Sequence, residues 1–489
     1  MQYIDPSLFQ LQKSYMVSML LSRIKMIQLH LLRIALGILF SACDISLLRF
    51  YKHVDIVSYI NFNSQQNAMS EKTLYLKSGQ CSWGKCIFCG WGCRREPEQT
   101  LEQLKAWLDQ KLEPVDSLKI FNSGSFLDDK QVPVEFRKYV IQRCEEYGIP
   151  QLTVECRPDH ITQKTLDSMK SDKVHVTIAI GLECADDKIL KKINKGFTVD
   201  NYLTASKLLK KNGFGLRSYV LVNVPFSNVT TLKKSVKVAR ENSESVVLLN
   251  WFPHGYSAAF NMWIDGKWKP FDREQFEKAT EKFGEIEKDF DNFIFKPFWP
   301  PEERRWINGA GLEQLKHPYY EVWQDFICRF FKPKFPYVLF VPCAFRKPYF
   351  VSRLHKSISR TLREVPHSRE LHLVVLSSPG VIPYEYTNFY PFNKYDWPEW
   401  EETPEVKKEY VKVMEKRVEN YLKHHKYKKY FCYMKPDSES YIGLKKACNK
   451  LKIELINCLT EETYDKIKGE KNPLTFPSAL EDLKNKLYK

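Results

Sequence analysis

Apolar runs of strand length alternate with amphipathic runs of helix length from residue 73 to about residue 295. Residues 117–122 and 174–183 are rich in apolar and β-branched side chains, and residues 134–147 carry apolar side chains at helical spacing. Strands separated by helical runs favour right-handed βαβ units around a parallel sheet. About six such units follow one another, so the pattern predicts an α/β fold for this part of the chain.

The alternation resumes near the end of the chain after two breaks. The first break is the Phe-Trp-Pro-Pro string at 298–301, and the second is a proline-containing stretch at 332–336. Adjacent prolines end regular structure and stiffen a connection. We therefore expect a partly helical linker at 298–336 and a smaller α/β domain at 337–489. The longest helix of that domain is predicted at 404–424, preceded by a capping threonine and with proline at its first position.

The first 68 residues follow a different pattern and carry no assignable chemistry. Residues 27–43 are largely apolar, but His30 and Arg33 interrupt them, which leaves only residues 34–43 uninterrupted. A membrane-spanning helix needs about 20 apolar residues, and a signal peptide lies nearer to the start of a chain. Three interpretations stay open for residues 1–68: a peripheral or buried amphipathic helix, a single membrane helix, and an over-extended start.

Composition narrows the class of protein. The chain has 489 residues, of which 43% are hydrophobic and 14% aromatic, enough for two or three domains with sizeable cores. Its 13 dispersed cysteines are typical of reduced thiols in an intracellular protein, and we expect a cytoplasmic location. The formal net charge of +16 favours a polyanionic partner, although a general lysine bias would give the same charge.

Three cysteines in a tight loop form the first candidate site. Cys81, Cys86 and Cys89 have the spacing C-x4-C-x2-C between a strand-like run and a helix-like run. A closed zinc site takes four thiolate or imidazole ligands, and so does an electron-transfer cubane. Three thiolates instead leave one iron of a [4Fe–4S] cluster open to another ligand. The alternative is a zinc knuckle in which Cys93 is the fourth ligand.

The cysteine loop, with Phe88 before its last cysteine, resembles the loop of radical SAM enzymes. This resemblance implies that Cys81, Cys86 and Cys89 bind a [4Fe–4S] cluster whose open iron takes S-adenosylmethionine (SAM), with Phe88 beside the cofactor. It also implies that residues 69–297 form a partial (β/α)6 TIM-like barrel, whose strands point their carboxyl ends at the site. In such enzymes an electron from the cluster splits SAM and starts radical chemistry on an unactivated carbon.

The resemblance extends to two predicted strand ends. Ser123, Gly124 and Ser125 form a small turn after the second strand, where the superfamily often carries Gly-Gly-Glu. Backbone groups of this turn are expected to hold the SAM amino group. After the third strand, Glu155 is expected to bind the SAM ribose hydroxyls and Arg157 its carboxylate. The E-x-R-P-D string around them resembles that of tRNA-modifying radical SAM enzymes.

The fourth predicted strand ends in Gly181-Leu182-Glu183, a pattern common in the same enzymes. Two roles for Glu183 stay open at this point. Its carboxylate could contact substrate, or it could cap the helix that follows.

A second candidate site follows the strand predicted at 337–341. Cys343, Lys347, Ser352 and His355 match the P-C-x3-K-P-Y-x2-S-x2-H motif of the archaeosine synthase C-terminal domain. Taken by themselves, these residues supply a nucleophile, a cation and an acid–base group. Lys347 and Arg346 could equally hold a phosphate. Downstream segments at 376–383 and 390–396 also resemble that domain.

The two resemblances together predict a function. They imply a relative of the radical SAM partner of archaeosine synthase, fused to a domain resembling the synthase, that cleaves a lysine adduct on deazaguanine-modified tRNA. The implied partners are tRNA, an electron donor such as ferredoxin or flavodoxin, and a separate transglycosylase or archaeosine synthase subunit. No stable membrane association is expected. The alternatives are another tRNA-modifying radical SAM enzyme, Elp3-like or methylthiotransferase-like, and a zinc-dependent RNA-binding protein.

Overall fold

The computed structural model describes residues 69–92, 97–292 and 294–488. Residues 1–68, with their three interpretations, and Cys93 lie outside the described residues. Residues 68–489 belong to one compact unit. In the described part of the chain, no helix is both long and apolar enough to cross a bilayer.

The first half of this unit is a seven-stranded, wholly parallel sheet in which the strands follow chain order. Its strands are β1 Glu71–Leu76, β2 Ser117–Asn122, β3 Gln151–Glu155, β4 His175–Glu183, β5 Gly215–Val222, β6 Ser245–Asn250 and β7 Glu287–Asp289. Its helices are α1 Leu101–Lys111, α2 Val134–Glu146, α3 Gln163–Asp167, α4 Asp187–Lys192, α5 Val199–Lys211, α6 Val229–Asn242, α7 Phe260–Ile264 and α8 Arg273–Thr280. The predicted parallel α/β fold is confirmed, with β7 as a short strand beyond the six predicted units.

The alternation of side chains explains how this sheet is covered. Successive residues of a strand point to opposite faces. One face carries buried residues such as Leu74, Ile120, Val154 and Ile178, which pack with apolar side chains of the helices. The other, concave face is lined by the alternate positions of the strands.

The second half is a smaller α/β sheet in the order β11-β10-β9-β13-β14, in which only β11 is antiparallel to its neighbour. Its strands are β9 Tyr337–Pro342, β10 Leu371–Ser377, β11 Gly380–Pro383, β13 Lys429–Cys432 and β14 Leu455–Asn457, while β8 Ile307–Asn308 and β12 Tyr395–Asp396 pair separately. Its helices are α9 Leu312–Leu315, α10 Pro318–Arg329, α11 Arg353–Arg363, α12 Pro404–His424, α13 Glu439–Lys450, α14 Glu461–Ile467 and α15 Pro477–Tyr488. The Thr403 side chain accepts a hydrogen bond from Val406 N at 3.3 Å and so caps α12, as its sequence predicts.

The segment at 298–336, expected as a linker, contains helix α10, whose apolar face is built into the core of the second sheet. Trp323 is fully buried there, and its indole N–H donates to Tyr390 O at 2.9 Å. The same helix also contacts the first half of the unit. Phe330 packs edge-on against Phe252 with ring centroids 4.9 Å apart, and Asp325 accepts a hydrogen bond from the Trp263 indole. Phe252, Phe260 and Trp263 of the first half thus belong to the core around the second sheet, which the two halves share, while the parallel sheet has a second core of its own.

We expect Trp323→Ala to lower the free energy of unfolding by about 3–5 kcal/mol, because it empties a closed part of this shared core. It also removes the donor from Tyr390 O. Chemical denaturation followed by far-UV circular dichroism measures the effect. Trp306→Ala is the matched control, since Trp306 is 55% exposed and its removal leaves no cavity. Equal stability of the two variants would contradict the packing of α10.

Candidate functional site

The cysteine loop lies between β1 and α1, at the carboxyl edge of the parallel sheet. Cys81, Cys86 and Cys89 are all half-buried. Ile87, between the last two cysteines, is held by two backbone hydrogen bonds. Its N–H donates to Ile193 O at 3.1 Å, and its carbonyl accepts from Ala259 N at 2.8 Å. The loop is thereby fixed to the segment after α4 on one side and to the segment before α7 on the other.

Trp83 anchors the first half of the loop. Its indole N–H donates to Asn194 O at 2.8 Å, and Asn194 in turn donates from its side chain to Lys85 O at 2.9 Å. The indole lies against Gly196, where a Cβ atom would come within 2.3 Å of the ring. Glycine is therefore required at 196 both by this contact and by its φ of +80°.

The electrostatic surroundings of the thiols fit an iron–sulfur cluster. Burial raises the pKa of Cys89 to about 11, while Gly92 N–H donates to its sulfur at 3.3 Å. Burial likewise raises the pKa of Cys86, and the nearby cations of Lys195 and Arg157 oppose that shift. The thiolate is the form that binds metal, and N–H donors and cations stabilise it. Three such sulfurs form a donor set suited to a cluster.

A single-metal site is a different matter. Among the described residues, no group of three His, Cys, Asp or Glu side chains is arranged to hold one metal ion. A cubane does not need such convergence, because each thiolate binds a different iron. The zinc alternative depends on Cys93, which lies outside the described residues.

The turn after β2 is tied to the rest of the site by Gln131. The Gln131 side chain accepts from Ser125 N at 2.9 Å and donates to Ser123 O at 3.2 Å. A Cβ atom at Gly124 would lie 2.1 Å from the same amide, so a larger residue there would displace the Gln131 side chain from these hydrogen bonds. Two of the backbone groups expected to hold SAM are thus bonded to Gln131. The Ser125 hydroxyl accepts from Arg157 N at 3.1 Å, which joins this turn to the end of β3.

Arg157 is buried at the end of β3, with its guanidinium over the rings of Trp83 and Phe197. Its Nε donates to Asp159 at 3.0 Å, its Nη1 donates to Lys195 O at 2.9 Å, and its Nη2 donates to Asp159 at 3.3 Å. A guanidinium has five N–H donors. Three of them bind Asp159 and Lys195 O, so two donors remain for a carboxylate.

Glu183 pairs with a residue that the sequence analysis missed. Its carboxylate lies 2.7 Å from Lys195 Nζ, and both side chains are about nine-tenths buried. Glu183 has a φ of +61° next to a β-bulge, and a Cβ atom at Gly181 would lie 2.4 Å from its carboxylate. Burial lowers the pKa of Lys195, but Glu183 outweighs this, so the pKa is raised overall. Asp186 rather than Glu183 caps the next helix.

The concave face below the loop is polar at its centre. Glu155 stands opposite Ala179 on β4, and Gly181 follows on the same side of that strand. Burial and the nearby Glu155 carboxyl raise the pKa of both Tyr75 and Tyr219. One carboxyl and two phenol groups thus lie near one another on this face, next to β4 positions with small side chains.

The C-terminal candidates separate into two groups. Cys343 and Lys347 lie together: burial raises the pKa of the Cys343 thiol, and burial lowers the pKa of Lys347, each opposed by the charge of the other. Lys347 Nζ lies 3.9 Å from the ring of Tyr395, whose hydroxyl is 2.5 Å from Ser377 Oγ. Ser377 also hydrogen-bonds the Cys343 thiol.

Ser352 and His355 are placed differently. The Ser352 hydroxyl caps α11 by accepting from His355 N at 3.2 Å. The His355 ring lies 3.1 Å from Pro342 O and stacks on Tyr349. Burial lowers its pKa to about 4, so it is neutral at physiological pH. These contacts join the start of α11 to the end of β9, whereas Cys343 and Lys347 occupy the opening beside Tyr395.

Sequence reasoning did not find Lys195, Gln131 or the role of Trp83. Each acts through a contact between segments that are distant in the sequence, so no local motif marks it. The only available signal was the Lys195-Gly196 pair after α4, where a glycine interrupts a lysine-rich run.

Two known protein families match segments of this chain, one in each half. Residues 75–239 match the radical SAM superfamily, and residues 321–472 match a domain of unknown function, DUF5591. Among solved structures, methylornithine synthase has a TM-score of 0.33 and 17% identity, covering 39% of this chain and 56% of its own.

Two curated relatives carry related names. Archaeosine synthase subunit beta of Methanosarcina acetivorans is 33% identical over 176 residues, which is 33% of this chain and 51% of that protein. Archaeosine synthase subunit alpha of Thermoplasma acidophilum is 26% identical over 174 residues, covering 34% of this chain and 32% of that protein. The chain thus spans about half or less of these relatives. One segment of this chain thus matches the radical SAM superfamily, and about a third of the chain is similar to each of these archaeosine synthase subunits.

Proposed function

We propose that this chain is a radical SAM enzyme that modifies tRNA, cleaving a lysine adduct on a deazaguanine base to form archaeosine. The observation that carries the proposal is the three-cysteine loop, which two backbone hydrogen bonds hold at the carboxyl edge of the parallel sheet. Support also comes from the joining of a radical SAM domain and a DUF5591 domain in one chain. Relatives named as both subunits of archaeosine synthase agree with that combination.

Cys81, Cys86 and Cys89 would hold the [4Fe–4S] cluster, which would supply the electron that splits SAM and starts radical chemistry. The protein contributes position and charge. Lys195 and Arg157 lie near the thiols and offset negative charge there. Lys195 Nζ lies 5.4 Å from the centre of the Phe88 ring, and Ser125 joins its turn to Arg157. Phe88 and the turn of Ser123, Gly124 and Ser125 would form the cofactor-binding edge.

The concave face would receive the substrate. The Glu155 carboxyl is desolvated by burial and repelled by Glu183, which together raise its pKa to about 8. At neutral pH it therefore carries a proton and can donate a hydrogen bond as well as accept one. A ribose hydroxyl of SAM or a polar group of the substrate would find both functions here.

The C-terminal domain would serve the lysine-adding step or bind tRNA as a remnant of it. Cys343 and Lys347 provide the nucleophile and the cation for either role, while Ser352 and His355 hold the loop that carries them. A ferredoxin or flavodoxin would supply electrons. A separate transglycosylase or archaeosine synthase subunit would supply the modified tRNA.

The function is tested with nucleoside mass spectrometry. Protein reconstituted under anaerobic conditions should convert tRNA that carries the lysine adduct into tRNA that carries archaeosine. Cells that lack the gene should accumulate the adduct. Normal archaeosine in such cells, together with no conversion in vitro, would contradict the proposal.

Replacing Cys81, Cys86 or Cys89 by alanine should remove most of the iron bound after reconstitution, because each thiolate ligates one iron of the cluster. Iron and sulfide analysis, with electron paramagnetic resonance of the reduced protein, measures the loss. Cys144→Ala is the control, because Cys144 is buried on α2 away from the loop. Retained iron in Cys93→Ala is also expected, and loss of the cluster in that variant would sink the three-ligand assignment.

Glu155 makes the stability of the cofactor-free protein depend on pH. Its pKa is raised from 4.5 to about 8, so the folded state holds a proton that the unfolded state releases. The free energy of unfolding of wild type minus that of Glu155→Gln should be constant below pH 4.5. The difference should fall between pH 4.5 and 8 by at most about 1.4 kcal/mol per pH unit, and it should be constant again above that range.

Urea midpoints of wild type and Glu155→Gln, measured across this pH range, test the expectation. The exposed Glu135→Gln variant is the control for loss of a carboxylate, and it should follow the wild type at every pH. A constant difference between wild type and Glu155→Gln would show that Glu155 ionises normally.

A further inference from the structure

Two large aromatic side chains stand exposed beside the opening that contains Cys343 and Lys347. Phe345, in the loop after β9, is 70% exposed, and Trp400, in the short turn at 399–401, is 75% exposed. Single exposed aromatic residues are common, but these two come from distant parts of the chain and meet. Their ring centroids are 6.4 Å apart, with an angle of 42° between the planes. They form one continuous aromatic surface in contact with water.

Polar groups lie beside this surface, and one of them, Lys347 Nζ, also contacts the ring of Tyr395. Lys347 Nζ is 6.0 Å from the centre of the Phe345 ring, and no carboxylate of the described residues lies within ion-pair distance of it. One carboxylate oxygen of Asp396 is buried without a hydrogen-bond partner among the described residues. Asp396 and Glu399 are both close enough to act on the charge of Lys347. A buried acceptor without a donor costs free energy, which a ligand carrying a donor would recover.

These features define the chemistry of the ligand. An aromatic surface accepts a flat ring by stacking, and such stacking is how proteins bind bases that are turned out of an RNA. Carboxylates accept hydrogen bonds from the amino groups of bases, and a lysine donates to the carbonyl oxygen of a guanine-type base. The exposed Arg346 and Arg353 flank the same loop and suit the phosphates of the chain that carries the base.

We propose that Phe345 and Trp400 form a stacking platform for a guanine-type base of RNA, which is presented there to Lys347 and Asp396. The proposal rests on the proposed function, since it names the part of a tRNA that the C-terminal domain binds. A protein partner fits the surface less well. A stable protein interface covers about 800 Å² on each side and has an apolar centre, whereas this surface is two rings bordered by charged residues.

The test is binding of a fluorescently labelled, unmodified tRNA transcript, measured by anisotropy at several salt concentrations. Trp400→Ala and Phe345→Ala should each weaken binding by about five- to hundredfold, the range for loss of one base–aromatic stack. The dependence of the affinity on salt should not change, because stacking releases no counterions. Trp400→Phe should restore most of the affinity. Guanosine should compete with the transcript better than uridine does.

Trp306→Ala supplies the matched control. Trp306 is 55% exposed, so its replacement removes a comparable side chain from the surface, and its affinity should equal that of wild type. Equal affinities of Trp400→Ala, Phe345→Ala and Trp306→Ala would overturn the platform. A Trp400→Phe protein that is folded by circular dichroism but binds as weakly as Trp400→Ala would overturn it too.

The same measurements separate this proposal from the proposed function. If wild type converts the lysine adduct but Trp400→Ala binds tRNA as tightly as wild type does, the platform is overturned and the proposed function stands. No tRNA modification in any assay, with guanosine binding that depends on Trp400, would overturn the function and support the platform as a base-binding site. Altered self-association of Trp400→Ala with unchanged tRNA binding would identify a protein contact and overturn the proposal.

Discussion

The candidate site depends on the two backbone hydrogen bonds of Ile87. The connection between β1 and α1 has no regular structure around its cysteines, so no helix or sheet ladder fixes them. Because Ile87 is bonded to Ile193 on one side and to Ala259 on the other, the loop is stretched across the mouth of the sheet. Every cysteine of the motif is within six residues of this point. A cofactor that leaves one coordination position open needs its ligands held in advance, and these two bonds supply that constraint.

The positive charges next to the cysteine loop are balanced by carboxylates of the protein itself. Lys195 and Arg157 bring positive charge near the Cys86 thiol, and each of these cations is compensated by its own carboxylate, Glu183 or Asp159. Burying an unpaired lysine would cost free energy, and the ion pair with Glu183 offsets that cost for Lys195. Glu183 itself has a left-handed backbone conformation. The strained residue and the buried cation are thus two parts of one arrangement. Such outer groups orient and tune metal ligands in many proteins.

Much of the fold follows from local pattern, and much of the site does not. Strand β2 and helix α12 have the predicted bounds, because the apolar spacing of β2 and the cap of α12 are strong. Strand β7 was missed because its Glu-Lys-Asp sequence has no apolar alternation, and α10 was treated as linker because its aromatic residues sit between prolines. The cysteines were identified from spacing alone. The Glu183–Lys195 pair and the Phe345–Trp400 surface arise only when distant segments meet, which no single-sequence pattern encodes.

The core that the two halves share affects how a substrate would pass between the two candidate sites. Proteins that associate reversibly sample many separations, but the packing of Phe252 against Phe330 and the hydrogen bond from Trp263 to Asp325 hold these two domains in one arrangement. In the described residues, these contacts join both candidate sites to one compact unit. A substrate that visits both sites would dock close to a second site whose local concentration is set by the fold. The time between reactions at the two sites would then depend on how fast the substrate is released from one site and bound by the other. Because both sites belong to one chain, they are always present in equal numbers.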